Sequence, residues 1–221
     1  MNTQLEKHII KNIPPTVYYI PDFITPEEEQ HILKNVYSVP KPKWTSLSHR
    51  RLQDYGGVPH KNGMIVEDIP SWLQVYMDKV TNLNIFGDKS PNHVLVNEYL
   101  SNQGIMPHTD GPLFHSMVTT ISCGSHTMLE ILENNDKREK VCDILLENRS
   151  LVIFTDKIYI KYLHGIREME RDEITGEIVN LDLCKEKYEI GQVLERQTRV
   201  SLTIRHVPKV LKIKLCNLQK R

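Results

Sequence analysis

The chain reads as a mainly β protein with flanking helices, a helical front about 90 residues long packed on a β-sandwich or jelly roll. Past Asn92, short β-rich runs follow one another: HVLVNEYL, MVTTIS, HTMLEIL, VCDILLE, SLVIFTD, IYIKYLHGI and TRVSLTIRHV. Turn residues part most of them, and many short strands at regular intervals favour a sandwich or jelly roll over alternating strands and helices. Helix start signals and helical spacing fall before that point. No internal repeat or low-complexity tract offers a different architecture.

Taken in order, VYYIPDFI at 17–24 reads as a short strand. It runs into the helix TPEEEQHILKNVYSV, with Thr25 as N-cap, Pro26 at the first helical position and Glu28 three residues after the cap. A second helix fits PSWLQVYMDKVTNLNIFG, where Trp72, Leu73, Tyr76 and Val80 recur at helical spacing. Between them PKPKWTSLSHRRLQDYGG, 40–57, reads as a surface strand–loop–strand carrying Trp44 and the basic cluster Lys41, Lys43, Arg50 and Arg51. Two charged, weakly patterned stretches, 133–140 and 167–195, read as loops or insertions. The division expected is a helical extension over 1–89, a β core over 90–210, and a basic tail over 211–221 with Lys212, Lys214, Lys220 and Arg221.

A length of 221 residues is enough to bury a sizeable core. With 39% hydrophobic and 25% charged residues, the composition is that of a soluble globular protein rather than a disordered one. Lysine plus arginine equals aspartate plus glutamate, 28 against 28, so net charge selects no polyanionic partner; only local basic clusters could track a phosphate backbone. Cys123, Cys142, Cys184 and Cys216 form no CxxC pair, which argues against a zinc cluster and for a reducing compartment. The start MNTQLEKHIIKNIPP lacks a signal-like apolar core, and no apolar run is long enough to span a bilayer. The expectation is no membrane, and a location in cytoplasm and nucleus.

The chemistry centres on MPHTDGP, which holds His108 and Asp110. Asp-Gly-Pro is also ordinary turn punctuation, and ten histidines among 221 residues yield roughly half a His-x-Asp pair by chance. The setting adds weight. In a strand-like segment, positions two apart share a face, so both side chains can reach one ion if a third ligand comes from elsewhere. Two histidines and a carboxylate on one face of an octahedron are the ligand set of non-haem Fe(II) oxygenases, with three positions left for co-substrate and oxygen. His164, in YLHGI, is the candidate third ligand; His115 and His126 are nearer in sequence and read as core or edge histidines.

TRVSLTIR alternates. Val200, Leu202, Ile204 and Val207 fall mostly on one face, with Arg199, Ser201, Thr203 and Arg205 on the other. Six residues of strand span about 20 Å, and two long guanidinium arms can lean in to clamp a small dicarboxylate. Asn97 and Tyr99, two apart in VNEY, offer an amide and a phenol to one side of their strand.

Asn-x-Tyr, His-x-Asp, a distal His and Arg-x5-Arg, in that order, resemble the AlkB family of Fe(II)/2-oxoglutarate dioxygenases. NHVLVNEYLSNQGIMPHTDGP, TISCGSHTMLE, RVSLTIRHVPKVL, PKPKWTSLSHRRLQDYGG and WLQVYMDKVTNLNIFG are similar to its sixth-homologue branch in eukaryotes. The resemblance implies that His108, Asp110 and His164 bind iron, and that Asn97, Tyr99, Arg199 and Arg205, with Ser201 beside them, hold 2-oxoglutarate. It implies a cupin-like jelly-roll double-stranded β-helix whose N-terminal elements form a nucleotide-recognition lid, with Trp44, Arg50, Arg51 and Tyr55 as substrate contacts. It implies no catalytic residue beyond the metal centre. The implied reaction consumes O2 and 2-oxoglutarate and removes an N-alkyl group from DNA or RNA, giving succinate, CO2 and an aldehyde. The chain departs from the nucleic-acid-repair members at Pro112, where they carry an acidic residue, and from the bacterial member at Glu98, where it has a basic one. Two competing readings are a nucleic-acid-binding module with weak or no turnover, and a dioxygenase acting on protein or lipid.

Overall fold

The computed structural model describes residues 3–211. Of the expected basic tail, Lys212, Lys214, Lys220 and Arg221 lie outside the described residues. The strands are β1 (Val17–Ile20), β2 (Thr45–Leu47), β3 (Arg50–Tyr55), β4 (Met64–Ile65), β5 (His93–Tyr99), β6 (Ile105–His108), β7 (Met117–Cys123) and β8 (Thr127–Glu133). They continue with β9 (Lys140–Leu146), β10 (Leu151–Thr155), β11 (Tyr162–Ile166), β12 (Arg171–Glu173), β13 (Val193–Glu195), β14 (Arg199–Arg205) and β15 (Val210–Leu211). The helices are α1 (Thr3–Glu6), α2 (Pro26–Ser38), α3 (Ser71–Thr81) and α4 (Asp156–Lys161).

A seven-stranded sheet in the order β1-β10-β7-β14-β5-β3-β2 faces a four-stranded sheet in the order β6-β11-β8-β9. This is the mainly β, jelly-roll class expected from the run of short strands. The period of two does the sorting. On β14 and β5, Val200, Leu202, Ile204, Val94 and Val96 point outward and are sealed under Ile32 and Val36 of α2 and Leu73 and Met77 of α3. Each such aliphatic side chain contributes about 1.5–3 kcal/mol on burial. The alternate residues turn to the space between the sheets, and a slip of one residue in register would exchange the two sets.

The start of α2 follows the sequence closely. Glu28 N–H donates to Thr25 Oγ1 at 3.2 Å, while Thr25 N–H donates to the Glu28 carboxylate at 2.7 Å. This reciprocal cap stabilises the helix by about 1 kcal/mol. The helix ends at Ser38 because Val39 precedes Pro40 and is held extended.

Three features differ from expectation. First, the strands expected at 17–24 and 40–57 are continuous with the sheet of the core rather than part of a separate front: β1 borders β10, and β3 pairs with β5. Second, the run IYIKYLHGI is not one strand. Its first part is α4, with Ile158 3% and Ile160 60% exposed, whereas a strand would bury both on one face. Third, 167–195 is an ordered cover over the outer face of the smaller sheet. β12 pairs with β13, Ile174 and Ile178 pack on Met128 and Leu145, and Asn180 exchanges two 2.9 Å bonds with the Leu145 backbone. Its apolar anchors are too sparse for a periodic signal. Among the described residues no helix is long and apolar enough to cross a membrane.

Candidate metal and co-substrate site

Between the two sheets lies a cavity of about 480 Å³. One wall is the inward face of β5 and β14, bearing Asn97, Tyr99, Arg199, Ser201, Thr203 and Arg205. The opposite wall belongs to β6 and β11, paired so that His164 stands across from His108. Those two strands press closely. A Cβ on Gly104 would lie 2.2 Å from the Ile166 carbonyl oxygen, and one on Gly165 would lie 3.0 Å from the Pro107 nitrogen. Asp110 follows just past the end of β6, in a turn where Gly111 takes φ +86.

His108 donates its Nδ1–H to the Met106 carbonyl at 2.8 Å, which leaves the Nε2 lone pair free, the tautomer a metal ligand needs. The His108 and His164 ring centroids are 4.5 Å apart, and His164 lies stacked on Phe154. His164 Nε2 is 3.8 Å from Asp110 Oδ2, a buried oxygen with no hydrogen-bond partner, while Asp110 Oδ1 faces Arg205 Nη1 at 3.3 Å. Burial pushes His164 down to about 4; Asp110 opposes this, and His108 and Arg205 reinforce it. The ring is therefore neutral at pH 7, with a lone pair to give. Among the described residues no three His, Cys, Asp or Glu side chains already stand at full coordination distance from one point. Two donors at right angles on one ion, each about 2.1 Å away, are about 3 Å apart, so the 3.8 Å separation closes with an inward shift of under an ångström. The donor set, the free tautomer and the orphaned carboxylate oxygen fit a divalent cation.

Arg199 and Arg205 occupy separate stations along β14. Arg199 is 4% exposed, donates through Nη2 to Ser122 Oγ at 2.8 Å and has its guanidinium 5.7 Å from the Tyr99 ring. Burial pushes it down to about 10, with Tyr99 and Cys123 opposing, so it remains a cation at pH 7. Neither Arg199 Nε nor Arg205 Nε has a hydrogen-bond partner. Two buried cations with spare N–H groups, one at the His–Asp end and one at the Tyr99 end, suit an anion with a carboxylate at each terminus. Burial raises the Tyr99 phenol, which stays a neutral hydroxyl.

Of the four expected substrate contacts, only Arg50 reaches the cavity, where its Nε donates to Asn97 Oδ1 at 3.1 Å. Trp44, Arg51 and Tyr55 do not line the cavity, because the pairing of β3 with β5 turns Arg51 and Tyr55 to the helix side of the sheet. Arg51 is bidentate to Glu98 at 2.6 and 2.8 Å and lies 4.0 Å over the Trp44 ring. Tyr55 is buried edge-on to Trp72 and donates to Gln53 at 2.7 Å. The rival histidines lie elsewhere: His126 faces Asp172 at 3.2 Å, and His115 meets His206. Three further residues stand beside the site. His49 and Glu168 form a 2.9 Å pair on the cavity wall, and Phe114 underlies Arg205. Nothing in their local pattern marks them.

Comparison with known proteins agrees with this chemistry. Residues 35–205 match the model of the 2OG-Fe(II) oxygenase superfamily. A Danio rerio protein named "Probable RNA/DNA demethylase ALKBH6" is 48% identical over 96% of this chain and 94% of its own length. An uncharacterised protein of Acanthamoeba polyphaga mimivirus, L905, is 30% identical over 86% of this chain and 84% of its own. Among solved structures, that of OsALKBH1 superposes with a TM-score of 0.60 at 18% identity, covering 89% of this chain and 99% of that one, a likeness of fold alone. With the fold, the paired histidines and the two buried arginines in one cavity, the chain belongs to the 2OG-Fe(II) oxygenase superfamily as an AlkB-type dioxygenase of the sixth-homologue branch, using Fe(II) with 2-oxoglutarate and O2 as co-substrates.

Proposed function

We propose that this dioxygenase removes N-alkyl groups, methyl above all, from alkylated DNA or RNA. The observation that carries the reading is the convergence on one cavity of His108, Asp110 and His164 with Arg199 and Arg205. The nucleic-acid class is supported by the 48% identity to a relative named as an RNA/DNA demethylase. In this reading His108, Asp110 and His164 hold the iron. When bound, Fe(II) couples the oxidative decarboxylation of 2-oxoglutarate to hydroxylation of the alkyl carbon. Arg205, beside Asp110, and Arg199, at the far end of the strand, bind the two carboxylates. Asn97, Tyr99 and Ser201 orient the chain between them, and Phe154, Leu129 and Ile166 keep that space apolar and limit water. The hydroxyalkyl product collapses to an aldehyde, and succinate and CO2 leave with it. Arg50 and the His49–Glu168 pair meet the substrate. The setting is intracellular, in cytoplasm and nucleus, which the free thiols of Cys123, Cys142 and Cys184 support.

The test is a panel of N-methylated RNA and DNA oligonucleotides, a methyl-lysine peptide and a methylated lipid headgroup, reading succinate and formaldehyde together. Equimolar formaldehyde and succinate from an oligonucleotide, absent in His164→Ala, supports the proposal. Oligonucleotide binding that weakens with salt but never yields succinate above the substrate-free rate points instead to a binding module. Turnover confined to the peptide or lipid overturns the substrate class.

A further inference from the structure

Arg205 is held toward the cavity by very little. Among the described residues its only ion pair is the single contact of Nη1 with Asp110 Oδ1 at 3.3 Å, and its Nε has no hydrogen-bond partner there. A planar cation with one such contact is free to tip. The guanidinium carbon, however, lies 4.3 Å from the centroid of the Phe114 ring. That ring is backed in turn by the ring of His93, 5.7 Å away. His93 is 1% exposed, sits opposite Arg205 in the β5–β14 ladder, and hydrogen-bonds through neither ring nitrogen, the Asp54 carboxylate standing 3.5 Å off. A row of packed groups, with the His93 and Phe114 rings tilted by 44°, thus runs from His93 of β5 through Phe114 to Arg205 of β14. Its middle layer comes from the segment just after His108 and Asp110.

We propose that Phe114, backed by His93, is a positioning residue for co-substrate binding: its ring face fixes the plane of the Arg205 guanidinium so that the remaining N–H groups meet the near carboxylate of 2-oxoglutarate. A guanidinium over an aromatic face is attracted by the ring's negative quadrupole, most strongly where water is excluded. It can slide on that face but not tip away from it. The bidentate geometry a carboxylate requires is then prepared before the anion arrives, and the ordering cost of binding falls. Because one segment supplies both Asp110 and Phe114, the placement of a metal ligand and the aim of the co-substrate anchor are set together. The inference rests on the reading of Arg205 as a carboxylate anchor.

The test replaces Phe114 in the full chain by phenylalanines carrying one, two and three ring fluorines, which keep the shape and progressively remove the quadrupole. The affinity for 2-oxoglutarate is measured by anaerobic calorimetry with Fe(II) present, alongside Fe(II) affinity and Tm. The expected result is a stepwise rise in the dissociation constant for 2-oxoglutarate, to about 10-fold with three fluorines. Fe(II) affinity should stay within twofold and Tm should not move. Phe114→Tyr should bind like the parent, and Phe114→Leu should be at least as weak as the most fluorinated ring. A flat series overturns the inference, as does a loss of Fe(II) affinity and Tm in parallel, which marks the ring as plain core. Arg205→Met separates the two levels. If it binds 2-oxoglutarate normally, the anchor reading itself has failed; if it loses binding while the fluorinated series is flat, only the positioning role has.

Discussion

Replacing Arg199 by methionine should separate function from stability in a direction that ordinary core residues do not. Arg199 is a buried cation with one hydrogen bond, to the neutral hydroxyl of Ser122, and an unpartnered Nε. A carboxylate bound there gains two charge-assisted hydrogen bonds in a dry site; truncating one side of such a pair costs about 2–5 kcal/mol. The 2-oxoglutarate dissociation constant should therefore rise by about 30- to 5000-fold. In the metal-free, ligand-free protein the sign reverses. Methionine fills most of the stem volume without a charge to desolvate, whereas the hydroxyl of Ser122 loses a partner worth about 1 kcal/mol. The net change should be between about zero and 2 kcal/mol of stabilisation, which for a chain of this size moves Tm upward by no more than about 8 °C. Calorimetric titration of 2-oxoglutarate and thermal unfolding without ligands read the two effects. A Tm fall of more than about 4 °C, or an affinity within threefold of the parent, would refute the assignment of Arg199 as an anion anchor.

Three further outcomes are expected. His164→Ala should abolish the weak visible charge-transfer band that forms when Fe(II) and 2-oxoglutarate are added anaerobically, with far-ultraviolet circular dichroism unchanged; a persisting band would remove His164 from the ligand set. Burial raises the Asp172 carboxyl, but bidentate bonds from Arg196 at 2.6 and 2.7 Å, with His126, more than offset it and hold the net value below the usual range. A lowered folded pKa adds stability that is present above the unfolded value of about 4 and lost as pH falls through the folded one. Asp172→Asn should therefore cost about 3–5 kcal/mol at pH 7 in urea melts, with the gap to the parent narrowing below about pH 4; a constant gap would contradict this. Finally, Trp44→Leu should lower stability by about 1–3 kcal/mol and leave the substrate KM alone, whereas Glu168→Gln should shift the substrate KM but not that for 2-oxoglutarate. The reverse pattern would return Trp44 to the substrate site.

Features set by neighbours within a few residues were legible before any fold was known. Thr25, Pro26 and Glu28 specify a helix start, because the cap closes within one turn. The alternation along 199–205 specifies which residues of β14 meet the core and which meet the cavity, because successive side chains leave a strand on opposite sides. His108 and Asp110 announce themselves by adjacency. What depended on distant partners was not legible. The immediate neighbours of His164 do not by themselves tell it from His115 or His126; its place in the ordered pattern of the family resemblance picks it out, and the antiparallel register of β11 on β6 sets it across from His108. Nothing local tells Arg50 from Arg51 either. The pairing of β3 with β5 sends one to the cavity and the other to Glu98, and takes Tyr55 into the helix-side core. Phe114 reaches Arg205 only because the segment after Asp110 folds back against β14. Strand order and register are settled by long-range burial of whole faces, and no window of sequence short enough to show periodicity contains both partners of such a pairing.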